Sequence, residues 1–110
     1  MPEASKPTMM DYQHHVLVCV GSKCTQNGEG QALYDELKKK IKDLGLEKGE
    51  SRVIRSKTSC LGTCKFGPLL CIHPDGTWYY NINSEKLDRI IAEHLIKGKP
   101  VFKYIYHQAT

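Results

Sequence analysis

The 110-residue chain contains no apolar run approaching the roughly 20 residues needed to cross a bilayer, which excludes a membrane-spanning helix. Its first 13 residues, MPEASKPTMMDYQ, hold no apolar core of the secretory kind, so the expected location is the cytoplasm. Charge of one sign is scarce as well. Sixteen Lys+Arg against 12 Asp+Glu leave a formal charge of +4, short of the dense basic stripe of a dedicated nucleic-acid binder. No C-x-x-C pair is present, which sets aside a thioredoxin-type dithiol. There is no internal repeat or low-complexity stretch, and the length suits one domain. No constellation of general base, nucleophile and substrate pocket stands out, so the chain is not expected to be an enzyme by itself.

What the chain does have is cysteine. Five is an odd number, and a full set of disulfides would leave one over. In a chain without an export signal, clustered cysteines point to metal or redox chemistry. Cys19 and Cys24 are spaced C-x4-C, and Cys60 and Cys64 are spaced C-x3-C.

The surrounding pattern places these pairs. Residues 1–13, with Pro2, Ser5, Pro7 and Thr8 and no periodicity, are expected to be a loose tail, leaving 14–110 as the folded domain. The run Val16-Leu17-Val18-Cys19-Val20 predicts a buried strand over 14–20, ended by Gly21. Leu33, Leu37, Ile41 and Leu44 recur at helical spacing and predict a helix over 31–44, stopped by Gly45. A second strand is expected over 52–58, a third over 68–73 and a fourth over 78–82. The turn Pro74-Asp75-Gly76-Thr77 joins the last two as a hairpin. Ser84 is the expected N-cap of a final helix that buries Leu87, Ile90, Ile91 and Leu95 and stops at Gly98. The tail beyond Pro100 keeps Val101, Phe102, Tyr104 and Tyr106 and is expected to pack. The order β-α-β, then β-hairpin, then α predicts an α/β layered domain with a mixed four-stranded sheet.

If the first two strands are parallel neighbours, the loops after them leave the same edge of the sheet. The two cysteine pairs then become one cluster of four thiols. Zinc and an iron–sulfur cluster both accept four thiolates, and both pair spacings suit either. Gly21, Ser22, Gly62, Thr63 and Gly67 favour iron–sulfur, because small residues let backbone N–H groups approach cluster sulfides.

Four segments carry a specific resemblance: VLVCVGSKC at 16–24, SCLGTCKFGP at 59–68, HPDGTWY at 73–79 and IIAEHLIKGKPV at 90–101. On these the chain resembles the thioredoxin-like [2Fe-2S] ferredoxins of bacteria and the related domain in the small subunit of NADH:quinone oxidoreductase and some hydrogenases. The resemblance implies a thioredoxin-like fold and a one-electron carrier. It also implies a [2Fe-2S] cluster held by Cys19 and Cys24 on one iron and Cys60 and Cys64 on the other. Redox partner proteins and a possible homodimer follow from it. So do the alternatives of an electron-transfer subunit or accessory of a hydrogenase or NADH dehydrogenase complex. A four-cysteine zinc-binding interaction module is the alternative of a different class. The chain departs from the family pattern at Tyr80, where a Gly is usual, and at Cys71, where an aliphatic residue is usual.

Cys71, mid-strand among Leu69, Leu70 and Ile72, is expected to be a buried core thiol. His14, His15, His73, His94 and His107 show no spacing that converges with the cysteines, and surface or packing roles are expected. The lysines at 38, 39, 40 and 42 are read as a solvated helix face in preference to a surface that guides an acidic partner. Trp78, Tyr79 and Tyr80 are read as packing residues rather than a base-stacking platform, with Tyr79 on an edge strand open to pairing with a second copy.

Overall fold

The computed structural model describes residues 11–21, 28–59 and 67–109. Strand β1 (His14–Cys19) leads to helix α1 (Glu29–Asp43) and strand β2 (Val53–Thr58). A hairpin of β3 (Leu70–His73) and β4 (Thr77–Tyr79) follows. Helix α2 (Ser84–Ile90) continues as a π-helical segment, Ile91–Ile96. A short 3-10 turn, Phe102–Tyr104, then leads to strand β5 (Ile105–Gln108). Among the described residues no helix is long and apolar enough to cross a membrane.

The sheet order is β2-β1-β3-β4-β5, with β1 and β2 parallel and every other pair antiparallel. The sequence pattern gives four of these strands; the fifth is a correction. Ile105–Gln108 is largely exposed and lacks a continuous apolar face, so it carries little signal of its own. It is held instead by β4: Ala109 N–H donates to Gly76 O at 2.8 Å, and the Thr77 hydroxyl donates to Gln108 Oε1 at 2.9 Å. Tyr79 is therefore not on an edge. It is fully buried, with β3 on one side of its strand and β5 on the other.

The hydrophobic periods do what they predict except at Leu44, which is the C-cap of α1 and is 50% exposed. Val16, Val18, Leu70, Ile72 and Tyr79 alternate onto one sheet face and pack against Leu33, Leu37 and Ile41 of α1 and Leu87, Ile90, Ile91 and Leu95 of the last helix. The two helices also touch each other. Lys40 pairs with Asp88, and the Ser84 hydroxyl donates to Glu36 Oε1 at 2.7 Å. Lys40 thus leaves the solvated face, while Lys38, Lys39 and Lys42 stay exposed.

Helix ends differ in detail. Asn83, not Ser84, is the N-cap of α2: its side chain accepts the Lys86 N–H at 2.9 Å, which frees the Ser84 hydroxyl for Glu36. Gly45 and Gly98 take left-handed φ values of 69° and 73° just past the helices, as their stop signals require. β4 ends early because Asn81 turns to φ 50°, and Tyr80 N–H goes to Tyr104 O at 3.2 Å. The Gly67-Pro68 and His73-Pro74 bonds are cis. In the tail Val101 joins the core, but Phe102 is 79% exposed, contrary to the expectation that it packs.

Candidate metal centre

Of the four cysteines singled out, Cys19 lies at the end of β1 and is fully buried. Cys24, Cys60 and Cys64 lie outside the described residues, as do residues 1–10 of the expected tail. Three described residues that flank those segments, Gly21, Ser59 and Leu69, lie at or against Cys19.

β1 and β2 are parallel neighbours, with Cys19 opposite Thr58. Ser59, immediately ahead of Cys60, has its carbonyl oxygen 4.0 Å from the Cys19 Sγ. The chain returns at Gly67, and Leu69 O accepts the Cys19 N–H at 3.1 Å. Ser59 and Leu69, on either side of the residues that include Cys60 and Cys64, therefore both contact Cys19. The segment holding Cys24 departs from Gly21, which is pressed onto the same place: a Cβ built on Gly21 would lie 1.9 Å from Ser59 O. Only a residue without a side chain fits there. Val20 N–H to Thr58 O at 2.8 Å holds the two strand ends together.

Helix α1 starts on this edge too. The Lys57 ammonium donates to Gln31 Oε1 at 3.2 Å, and the Arg55 guanidinium lies 4.1 Å above the Tyr34 ring. The N-terminal end of a helix favours negative charge, and thiolates are negative. A buried thiol, two chain segments rooted beside it and a donor set of four thiolates fit an all-cysteine iron–sulfur cluster.

Cys71 does not join them. It is buried on β3, in register between Leu17 and Trp78, and burial pushes its thiol up to about 11, which keeps it protonated and unreactive. Nor do the histidines converge on Cys19. His14 opens β1 at its far end, and His94 is fully buried in the last helix rather than exposed. The helical phase signals that burial, because His94 falls three and four residues after Ile91 and Ile90. Trp78 makes edge-to-face contacts with Tyr106 and His107, which supports packing over base stacking.

Comparison with known proteins agrees with this geometry. The family model for thioredoxin-like [2Fe-2S] ferredoxin matches residues 8–95. A putative 2Fe-2S ferredoxin of Priestia megaterium is 33% identical over 86 residues, 78% of this chain, and the match spans 64% of that relative's length. A 2Fe-2S ferredoxin of Clostridium pasteurianum is 30% identical over 99 residues, covering 84% of this chain and 95% of the relative. The structure of a thioredoxin-like [2Fe-2S] ferredoxin from Aquifex aeolicus superposes with a TM-score of 0.77 at 25% identity, covering 91% of this chain and 94% of that one. A second structure, the wild-type protein from the same organism, gives 0.75 at 28% identity, covering 88% and 98%. Fold, strand-end geometry and sequence match together place the chain in one family: it belongs to the thioredoxin-like [2Fe-2S] ferredoxins.

Proposed function

We propose that this iron–sulfur electron carrier holds a single [2Fe-2S] cluster on Cys19, Cys24, Cys60 and Cys64, and passes one electron at a time between redox partner proteins. The observation that supports the ligand set is that Ser59 and Leu69, which flank residues 60–66 in the chain, both contact the buried Cys19, one at its thiol and one at its backbone N–H. The family pattern assigns Cys19 and Cys24 to one iron and Cys60 and Cys64 to the other. When bound, the cluster supplies a one-electron redox couple. The protein's part is structural. The β1–β2 ladder fixes the strand ends, Gly21 lets them meet, and the N-terminal end of α1 favours the thiolates. We read the chain as a carrier rather than an enzyme, working in the cytoplasm without nucleic acid or membrane.

Four thiolates and an oxidised core bring the formal +4 to about +2, with the negative charge concentrated at one end. That asymmetry is expected to orient the protein on its partner, with electron-transfer rates that depend on ionic strength. Rates flat from low to high salt contradict it. Pairing of two copies would run through β5, the one of the sheet's two edge strands that lies beside the exposed Phe102 and Tyr106. A monomeric mass by light scattering excludes that.

The deciding experiment is a visible spectrum of anaerobically purified protein before and after dithionite, with iron, sulfide and zinc assayed on the same sample. The reading requires bands that bleach on reduction, and about two irons and two sulfides per chain. A colourless protein with zinc and no sulfide, even after reconstitution, overturns it in favour of a zinc-binding interaction module. Co-purification with a hydrogenase or NADH dehydrogenase complex would identify a subunit rather than a free carrier.

A further inference from the structure

At the end of the sheet farthest from Cys19, a second group of ligating side chains converges. His14 opens β1 and Cys19 closes it, a distance of about 17 Å at the rise of an extended strand. Around His14 gather Asp75, from the β3–β4 turn, and His94, from the last helix. His94 Nε2 lies 2.5 Å from Asp75 Oδ2, and His14 Nε2 lies 3.4 Å from the same oxygen. One donor atom from each residue falls within 4.8 Å of the other two.

We propose that His14, Asp75 and His94 form a metal site separate from the cluster, taking one divalent first-row transition ion of zinc's type on two imidazole nitrogens and a carboxylate oxygen. The donor set is borderline in softness, which suits zinc, cobalt, nickel or copper and disfavours calcium and magnesium. The spacing suits it as well. Two bonds of about 2.1 Å at a tetrahedral angle span about 3.4 Å, the separation of His14 from Asp75. His94 and Asp75 now share a hydrogen across 2.5 Å, so seating an ion between them requires Asp75, on its exposed turn, to draw back by about 0.9 Å.

The supporting shell is rigid. His94 is fully buried and His14 is 4% exposed, and their rings meet edge to face at 5.5 Å. His94 Nδ1 is hydrogen-bonded to the Tyr79 hydroxyl at 2.7 Å, and that oxygen accepts the Val101 N–H at 3.1 Å. This fixes the ring with Nε2 facing Asp75, as ligating imidazoles are fixed through their other nitrogen. His14 Nδ1 is buried with no hydrogen-bond partner, so the polar contact of this ring is made by Nε2, toward Asp75. Asp75, 34% exposed, provides the way in. The neighbouring pair His15 and His73 is different: the two are cross-strand partners on the other face, with His15 Nε2 2.8 Å from the Ser56 hydroxyl.

The test uses the holoprotein with its cluster intact, dialysed against chelator-buffered Zn2+ and assayed for zinc by atomic spectroscopy. One zinc per chain is expected, with the visible spectrum unchanged. Affinity should fall at least about ten-fold in Asp75→Asn and His14→Gln, and hold within about two-fold in His73→Gln. Asp75→Asn keeps the size of a turn side chain, and cluster absorbance and Tm report whether each variant is folded. Four results each overturn the proposal: no zinc taken up, undiminished affinity in folded Asp75→Asn, loss in His73→Gln, or uptake only as the cluster bleaches.

Discussion

Gly21→Ala adds one methyl group just past the ends of β1 and β2, where Gly21 meets Ser59. That methyl would fall 1.9 Å from the Ser59 carbonyl oxygen and 3.0 Å from its carbon. Real contacts stay above 3.0 Å, so the two backbones must part by more than 1 Å. No flexible side chain can yield, because the obstacle is main chain. Overpacking of this kind costs about 1–3 kcal/mol, and losing the neighbouring Val20–Thr58 hydrogen bond adds about 1 kcal/mol. The same movement separates Cys19 from the residue that leads into Cys60, so cluster retention should suffer beyond the loss of stability. Iron and sulfide per chain after reconstitution, and the rate of bleaching under chelator, are the assay. Two variants frame it. Ser59→Ala keeps the carbonyl and should retain the cluster. Leu37→Ala destabilises the core by about 2–5 kcal/mol and should lose the cluster more slowly than Gly21→Ala. Wild-type cluster content and Tm in Gly21→Ala would refute the reasoning.

Tyr79→Phe strands the Val101 N–H and the His94 Nδ1 in the core and should cost about 1–3 kcal/mol in thermal unfolding; an unchanged Tm contradicts the network. Asp88→Ala breaks the Lys40 pair between the helices, but Asp88 is 60% exposed, so under about 1 kcal/mol is expected, fading in high salt. Burial lowers the His14 pKa below 6.5, outweighing the nearby Asp75 carboxylate, which raises it. The unfolded chain then takes up its proton first as pH falls. The contribution to stability is complete above about 6.5 and is lost from there down toward the folded value. Imidazole NMR titration should place the His14 midpoint below 6.5, and a midpoint above it contradicts the burial argument.

The parallel β1–β2 pair was legible because it rests on strong local signals: a continuous apolar run, a helix of period 3.6 and loops of small residues. Together they put Cys19 at a strand end and the residue before Cys60 beside it. Ser84 misled because two adjacent residues can both cap a helix, and only tertiary contact with Glu36 decides which one does. β5 was hidden because half-exposed Tyr and His residues carry no period, and β4 supplies its hydrogen bonds. The burial of His94 was written in its helical phase. Its meeting with His14 and Asp75 was not, because these come from three elements far apart in the chain.

The ladder that aligns His14 with Val53 and Cys19 with Thr58 keeps one offset, 39 positions, along its whole length. Such pairing is non-local, and the loop containing α1 must close before the pairing can form. During synthesis Cys19 emerges long before Ser59 exists to lie beside it. A zinc finger can be organised by its metal, because its ligands sit close in the chain. Here the reverse order is expected: the β-α-β unit brings Cys19 and Ser59 together, and delivery of iron and sulfide follows that collapse.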